Sequence, residues 1–374
     1  MVSSAVRSAR TGRPWQPAML GLVAASLVLA QDNRFLPREP NAPIRYITPS
    51  PRVDLGDQIN AAYTELPASG GEIVITASGS FKTPIVFATP GKPVLLTGLP
   101  GDIVSMAFNG ASGVAVTFNY GRGHRMGHGL RDLTLSGPGH STPTTGIVFG
   151  GANGAEGIEV RDFKIESFGT NVEMGSNTWL AYFEHGMSRD SLRNLLLPAG
   201  LADAGEQIVF NHVTFADAPA PHTDSVWVQG TNQEVIFRDC SFDQAQLRIG
   251  NGATAGAQVV VTGSHFENAN YDWSDSTNYD FVVVDESPGN YLRMSESYFL
   301  QDAETGGPSQ FMLLRGGTVF MTAIGMYTPK GSPLAHFAVI ENAVNVELQG
   351  FHDASGNIRG ALFGGTSTGT VVTR

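Results

Sequence analysis

The chain has 374 residues, enough for one large domain or two ordinary ones, and hydrophobic residues make up 41% of it. Charged residues make up only 15%, against roughly 25% in a typical soluble domain, and glycine is abundant. The net charge of −11 argues against a nucleic-acid-binding protein, which needs a basic stripe. The single cysteine, Cys240, excludes an internal disulfide and a metal site built from several cysteines. This composition favours an all-β chain with many turns, in which Cys240 is a small buried residue.

The first 53 residues differ in composition from the rest. Arginines between Arg7 and Arg13 precede an apolar run at 18–30, which is the pattern of a secretory signal peptide. An arm that docks into a larger assembly is the alternative. Prolines are frequent at 31–53, and their density excludes a helix interior and a central strand. The sequence therefore predicts that 1–53 is an arm or signal-like segment with a proline-rich linker.

A short amphipathic helix is predicted next, from residue 54 to residue 66. Ile59, Ala62 and Tyr63 recur at helical spacing and share one face. Pro67 and the glycines that follow it end the helix. We assign 54–71 to this helical segment.

An eight-residue pattern recurs along the rest of the chain. Its copies begin 24–33 residues apart, except for one interval of 50 residues, which predicts one degenerate turn within 179–197. A second short apolar strand recurs between the copies and begins at Ser225, Gln246, Phe281, Phe311, Phe337 and Ala361. The copies themselves are IEVRDFKI from Ile158, IVFNHVTF from Ile208, VIFRDCSF from Val235, VVVTGSHF from Val259, LRMSESYF from Leu292, VFMTAIGM from Val319 and VELQGFHD from Val346.

This repetition predicts the fold. Two or three short strands per repeat, with no helix between them, exclude an array of βαβ units. They predict an all-β, single-stranded, right-handed parallel β-helix over 72–374, with about nine to eleven turns that stack about 4.8 Å apart. Positions one, three, six and eight of the pattern are apolar and are predicted to face inward. The change of phase between positions three and six predicts a corner there.

Position two of the pattern is predicted to face outward, yet it is apolar in several copies. Val209, Ile236, Val260 and Phe320 would form a stripe on the surface, and exposed apolar stripes usually mark an interface. We therefore predict a homotrimer with parallel axes, in which this stripe is buried between chains or under the N-terminal arm. Cover by a loop of the same chain is the alternative.

Particular segments also resemble a known family. The helix followed by Gly-Gly-Glu-Ile at 58–75 resembles the start of many pectate-lyase-like β-helix proteins, in which such a helix caps the open end of the solenoid. The series GEQIVF at 205–210, FRDCSFD at 237–243 and GSHFEN at 263–268 is similar to bacteriophage tail spikes and related surface β-helix proteins. The resemblance covers about 54–300, and it implies a capped, trimeric β-helix.

Two functions are compatible with this resemblance. The first is a virion or surface-fibre protein that binds, and in some relatives cleaves, bacterial surface polysaccharide, with 1–53 contacting other virion proteins. The second is a secreted, extracellular polysaccharide-degrading enzyme, a glycoside hydrolase or a lyase. The chain lacks the calcium-ligand and Arg-Pro-Arg patterns of pectate lyases, and His222-Thr223-Asp224 is only part of the polygalacturonase signature. The tail-spike-like series favours the first function.

Carboxylates at the predicted edges of the solenoid are the candidate catalytic residues. Cleavage of a glycosidic bond needs two carboxyl groups across the bond, and neighbouring turns bring equivalent positions about 4.8 Å apart. We predict that Asp224 forms a cluster with Asp243 or Glu267, which supplies an acid and a base or nucleophile. His222 would orient Asp224 or donate a proton. The alternative for each carboxylate is a bond to the turn backbone.

Substrate contacts are predicted from Asp280 and from the loop that holds Tyr271, Asp272 and Trp273, which extends the longest repeat. An aromatic ring with carboxylates on a protruding loop suits a sugar, and packing of the loop is the alternative. No cofactor and no metal ion are expected.

Overall fold

The structure is a computed structural model of the chain. It describes residues 43–101, 103–121, 127–219, 224–230, 233–252, 256–268, 280–301, 310–327, 336–342, 345–354, 362–363 and 370–373. Most of the segment predicted as an arm, including its apolar run at 18–30, lies outside these residues. In the part that is described, no helix is both long and apolar enough to cross a membrane.

The described chain winds into a parallel β-solenoid of about ten turns. Neighbouring strands pair in parallel along the whole solenoid, which confirms the predicted fold class. Each complete turn supplies three strand segments, and these build three faces, named here the first, second and third face in chain order. The interval of 50 residues in the repeat does contain a further turn, because the strand at Thr178–Arg189 pairs on both sides with its neighbours.

The first and second faces meet at a corner and share one sheet of 19 strands. Strands that run through the corner are β8 (His128–Ser136), β11 (Ile158–Glu166), β13 (Thr178–Arg189), β15 (Glu206–Ala216), β26 (Thr318–Tyr327) and β28 (Asn345–Asp353). Those before the corner are β1 (Ile44–Ile47), β2 (Gly71–Ile75), β5 (Val94–Gly98), β10 (Ala155–Glu156), β17 (Glu234–Arg238), β20 (Gln258–Thr262), β23 (Tyr291–Ser295) and β30 (Thr370–Thr373). Those after it are β3 (Gly79–Phe81), β6 (Val104–Phe108), β18 (Ser241–Asp243), β21 (His265–Asn268) and β24 (Tyr298–Gln301).

The third face is a separate sheet of 11 strands. It contains the second short strand that the repeat predicted. Its strands are β4 (Ile85–Phe87), β7 (Gly113–Phe118), β9 (Thr144–Phe149), β12 (Thr170–Met174), β14 (Arg193–Leu197), β16 (Val226–Val228), β19 (Leu247–Ile249), β22 (Val282–Val284), β25 (Gln310–Leu314), β27 (His336–Ile340) and β29 (Leu362–Phe363).

In successive turns, the corner is formed by a single residue whose backbone is left-handed. Asp162, for example, has φ of 49° and Asp239 has φ of 51°. Aspartate tolerates this conformation and glycine adopts it without steric cost. The corner column is Asp132, Asp162, His185, His212, Asp239, Gly263, Glu296, Ala323 and Gly350. It produces the predicted change of phase, because the left-handed residue turns the next side chain back toward the core.

The core is built from columns of side chains that touch from turn to turn. Phe183, Phe210 and Phe237 stack beneath the first face, with 4.5 and 5.2 Å between ring centroids. A second stack, Phe215, Phe242, Phe266 and Phe299, lies beneath the second face at 4.4–5.3 Å. Cys240 is buried as predicted, and this burial raises the pKa of its thiol to about 12.

A polar ladder interrupts this core at the start of the third face. Asn171, Asn194 and Ser225 are fully buried on successive turns. Asn171 donates to Asn194 over 3.1 Å, and Asn194 donates to Ser225 over 2.9 Å. Because both amides also donate to backbone carbonyls, the ladder is satisfied and fixes the turn between the second and third faces.

The predicted helix is present as α1 (Leu55–Glu65). Asp54 caps it by accepting from the backbone N–H of Gly56, and it also accepts from the N–H of Lys82. One strand falls within the segment predicted as an arm or linker, since β1 pairs in parallel with β2. It lies at the end of the sheet, where the prolines that flank it remove no ladder hydrogen bond.

The apolar stripe predicted at position two lies on the outward side of the first face. Val209, Ile236 and Val260 are in register on successive turns. Phe320 follows two turns later, beyond Arg293. The four apolar side chains are half-buried within the single chain.

Candidate functional site

Two of the predicted site residues, Asp224 and Asp280, lie in one column at the start of the third face. Strands β16, β19 and β22 pair in consecutive turns without offset, so the residues two positions before each strand also align. Turns stack at roughly 4.8 Å, which places the α-carbons of Asp224 and Asp280 roughly 9.5 Å apart. The residue between them is Ala245, whose small side chain is fully buried.

An arginine holds the Asp224 carboxylate in place. Arg248 Nη1 donates to Asp224 Oδ1 over 2.8 Å. The same guanidinium donates from Nε and Nη2 to the two oxygens of Asp285, at 2.9 and 3.2 Å. Burial lowers the pKa of Arg248, but the hydrogen bonds to Asp285 and Asp224 outweigh burial and raise this pKa above its usual value. Arg248 therefore links carboxylates from two different turns.

The indole of Trp227 supports this arrangement. It points outward from β16, and its Nε1 donates to the carbonyl of Gly250 over 2.7 Å. The guanidinium carbons of Arg248 and Arg193 lie 4.9 and 5.1 Å from the ring centroid. Both distances are within the range of cation–π attraction, so the ring restricts the movement of two cations.

Asp280 is an unusual acid. Only 5% of its surface is exposed, and burial raises its pKa to about 7. The hydrogen bond with Gln310 and the charge of Arg315 oppose this shift, and the charge of Glu341 adds to it. Within the described part of the chain, Asp280 Oδ1 is buried and accepts no hydrogen bond. A carboxyl group with this pKa can hold a proton near neutral pH and give it up.

Glu173 and Arg193 extend the charged cluster toward the N-terminal turns. Burial raises the pKa of Glu173, and the charge of Arg193 opposes this shift. Arg193 lies one turn before Asp224 in the same column, since β14 pairs with β16. The third face thus presents carboxyl groups and guanidiniums on successive turns.

Sequence reasoning missed four members of this cluster: Glu173, Arg193, Arg248 and Asp285. One signal was available, because Glu173 and Arg248 belong to one column of outward positions that is otherwise apolar at Leu196, Trp227 and Val283. A charged side chain at such a position is out of pattern.

The second face holds a separate cluster of predicted residues. Asp243 and Glu267 are in register on adjacent turns, and His265 lies beside them. Ser241 hydrogen-bonds to Asp243, and His265 Nε2 lies 3.7 Å from Glu267 Oε2. Among the described residues, this is the group whose donor atoms, all within 4.8 Å of one another, could hold a metal ion. The side chains are partly exposed, as carboxylates on a solenoid surface often are.

The structure therefore separates residues that the sequence grouped. It brings Asp243 together with Glu267, but it places Asp224 with Arg248 and Asp285 on the third face. The reason is the bend between Asp243, which ends β18, and the start of β19. The chain changes face there, so Asp243 lies on the second face, whereas Asp224 directly precedes β16 of the third face.

Comparisons with known proteins bear on the fold and its relatives. No family model matches the chain. The chain is 29% identical over 201 residues to a protein named "Depolymerase, capsule K2-specific" from Klebsiella phage vB_KpnP_KpV74, which covers 51% of this chain and 33% of that protein. The chain thus spans about a third of the length of this curated relative.

Solved structures extend the comparison to most of the solenoid. Tailspike protein 4 of bacteriophage CBA120 (enzymatically active domain) matches 86% of this chain and 43% of its own, with TM-score 0.59 and 16% identity. The chain has a tail-spike-like parallel β-helix fold. A mutant tailspike of E. coli bacteriophage HK620 in complex with a pentasaccharide matches 86% of this chain and 64% of its own, with TM-score 0.52 and 12% identity. The gp42 tailspike of Acinetobacter phage vb_AbaP_AS12 matches 87% of this chain and 63% of its own, with TM-score 0.51 and 12% identity.

Several predicted site residues of this tail-spike-like solenoid lie outside the described residues. They are His222, Tyr271, Asp272 and Trp273. In sequence, His222 is two residues before Asp224, and the other three precede Asp280 in the segment 269–279. Their roles remain predictions.

Proposed function

We propose that this is a virion-associated, tail-spike-like protein that binds and cleaves bacterial surface polysaccharide on its third face. The observation on which the proposal rests is the column of Asp224 and Asp280, two turns apart, with one carboxylate held by Arg248 and the other buried. The capsule depolymerase that matches half of the chain supports polysaccharide as the substrate class.

In the proposed reaction, Asp280 is the general acid and Asp224 the general base. Asp280 donates its proton to the glycosidic oxygen as the bond from the anomeric carbon to that oxygen breaks. Asp224 removes a proton from a water molecule, whose oxygen bonds to the anomeric carbon from the opposite side. The α-carbons of Asp224 and Asp280 are two turns apart, roughly 9.5 Å. This leaves room for a water molecule between the carboxyl groups and supports inverting hydrolysis, in which they lie about 6.5–9.5 Å apart, rather than retaining hydrolysis at about 5–5.5 Å.

The neighbouring residues act by positioning. Arg248 orients the Asp224 carboxylate through the hydrogen bond of 2.8 Å, and Asp285 holds Arg248 in turn. His222 remains a predicted proton donor beside Asp224, and Tyr271, Asp272 and Trp273 remain predicted sugar contacts. In this assignment Asp280 is an acid rather than the substrate-binding residue that the sequence suggested.

Cleavage is tested with a panel of purified bacterial capsular polysaccharides of known repeat unit. We expect one or more of them to be shortened, with one new reducing end for each bond that is broken. Proton NMR of the fresh product should show an anomer opposite to that of the substrate bond. A product with a new double bond would identify a lyase and contradict the acid–base assignment. If no polymer is bound or shortened, the proposed function is wrong.

We also propose that the protein is a homotrimer with parallel axes and that 1–53 contacts other virion proteins. The apolar stripe of Val209, Ile236, Val260 and Phe320 supports the trimer, because a half-buried apolar row gains free energy when a second chain covers it. Light scattering of the purified chain should give three times the mass of one chain. The variant Ile236→Glu should dissociate the trimer, since it would bury a charge at the interface. A monomeric native protein would exclude this use of the stripe.

A further inference from the structure

Arg193 is a feature of the third face that the proposed cleavage does not use. Its guanidinium lies over Trp227 at 5.1 Å from the ring centroid and is partly exposed. Its Nε is buried without a hydrogen-bond partner, and the side chain forms no ion pair with any residue that the structure describes. The carboxyl group of Glu173 acts on it only through longer-range attraction.

Other partly buried arginines of the solenoid are paired. Arg161 lies 2.6 Å from Glu184, and Arg131 lies 3.3 Å from Glu159. Arg248 binds Asp224 and Asp285. The ring of Trp227 contacts the guanidinium of Arg193 but accepts no conventional hydrogen bond, and no described residue replaces the hydrogen bonds to water that this partly buried cation has lost. Arg193 is therefore poised to gain from an anionic ligand.

We propose that Arg193 binds the carboxylate of an acidic sugar residue, so that the polysaccharide recognised by the third face is a uronic-acid-type polymer. This inference rests on the proposed function. Arg193 lies one turn before Asp224 in the same column, and a polymer chain that crosses the carboxylate pair reaches it with a neighbouring sugar. A planar guanidinium matches a carboxylate in a bidentate way.

The charge of the protein makes such a local cation necessary. The chain has a net charge of −11 and would repel an acidic polymer at long range. Trp227 restricts the guanidinium to one place, so little side-chain entropy is lost when the sugar binds.

The test compares two forms of one polymer with four forms of the protein. The polymer is a uronic-acid-containing capsular polysaccharide that the native protein binds, before and after chemical reduction of its carboxyl groups to alcohols. The proteins are the native chain, Arg193→Gln, Arg193→Lys and Arg238→Gln. Arg238 is an exposed arginine on the first face and serves as the matched control.

We expect the native protein and Arg238→Gln to bind the acidic polymer roughly tenfold or more tightly than the reduced one. Arg193→Gln should bind both forms with the same, weaker affinity, and Arg193→Lys should recover part of the difference because it restores the charge. Thermal unfolding followed by circular dichroism checks that each variant folds. If Arg193→Gln does not fold, the inference is still tested by two comparisons. One is the affinity of the native protein for the two polymers, and the other is the affinity of Arg193→Lys for the same two polymers.

Three results would overturn the inference without touching the proposed function. The first is a native protein that binds and cleaves the reduced polymer as well as the acidic one. The second is an Arg193→Gln variant that keeps the full preference for the acidic polymer. The third is selective binding and cleavage of neutral polysaccharides alone. If no polysaccharide binds at all, the proposed function itself fails, and this inference fails with it.

Discussion

Asp280→Asn should remove nearly all cleavage of the polysaccharide, with kcat lower by roughly 100- to 10,000-fold, which is the usual contribution of a general acid. The amide has almost the same shape as the carboxyl group, but its N–H protons are too weakly acidic to be transferred to the leaving oxygen. Binding of the uncleaved polymer should change little, because the guanidiniums of Arg193 and Arg248 are retained. The measurement is the rate of new reducing ends at saturating polymer, together with the affinity for the polymer.

The pH dependence of this effect has a definite sign. A general acid must be protonated, so the native activity should fall as the pH rises through about 7, the pKa of Asp280 in the folded protein. The same shift affects stability, because the folded state keeps a proton that the unfolded chain releases from about 4 upward. Asp280 therefore adds to the free energy of unfolding at low pH, and this contribution is lost as the pH rises toward 7. Asp280→Asn does not titrate, so its melting temperature should exceed the native one at pH 8, but not at pH 4.

The control for this substitution is Asp239→Asn. This substitution makes the same chemical change at an exposed corner residue. The backbone of Asp239 is left-handed, and asparagine also tolerates that conformation. We expect native kinetics from it. Full cleavage by Asp280→Asn would contradict the assignment of the acid. If Glu267→Gln abolished cleavage in the same experiment, the catalytic carboxylates would lie on the second face instead.

The fold could be predicted from the sequence because its core is periodic. Inward side chains such as Phe210, Phe237 and Phe242 recur at fixed places in each copy, and parallel stacking requires those places to align. The corner was visible as a change of phase, since one left-handed residue reverses the alternation. Strand β1 was missed because the prolines on either side of it exclude a central strand but do not exclude a strand at the end of a sheet.

The candidate site could be predicted only in part, because its contacts join turns of unequal length. The alignment of Asp224 with Asp280 can be derived from the sequence, because each residue lies two positions before a strand of the third face. The pairing of Arg248 with Asp285 does not follow from it, since the two residues are 37 positions apart. Whether an outward side chain reaches the next turn depends on its length and rotamer, which the repeat does not encode.

The same reasoning explains the misplaced grouping of Asp243 with Asp224. Both precede third-face strands in the sequence, by four and two residues respectively. Four residues are enough to pass the bend from the second face to the third, so Asp243 still belongs to β18. Distance along the chain to the next strand is therefore a poor guide to the face on which a residue lies.

Asp224 should be as important for catalysis as Asp280, but for the opposite reason. As the base, it must accept a proton from water, which the Asp224→Asn amide does not do. We expect a fall in kcat of roughly 100- to 10,000-fold. The amide oxygen can still accept the hydrogen bond from Arg248, and Arg248 keeps both bonds to Asp285. The free energy of unfolding should therefore decrease by only about 1 kcal/mol, the usual difference between a hydrogen bond to a charged group and one to a neutral group.

A second variant separates a catalytic role of Asp224 from a structural one. Asp224→Ala removes the side chain and leaves space beside Arg248, in which a small carboxylate such as formate can bind. If Asp224 is the base, added formate should restore part of the cleavage by Asp224→Ala, and formate should have no such effect on Asp280→Asn. Formate would bind beside Arg248 whether or not it takes part in the reaction. Stabilisation of the folded variant by formate therefore does not by itself demonstrate a catalytic role. Stabilisation of Asp224→Ala without recovered cleavage would show that the carboxylate serves only to hold Arg248 in position.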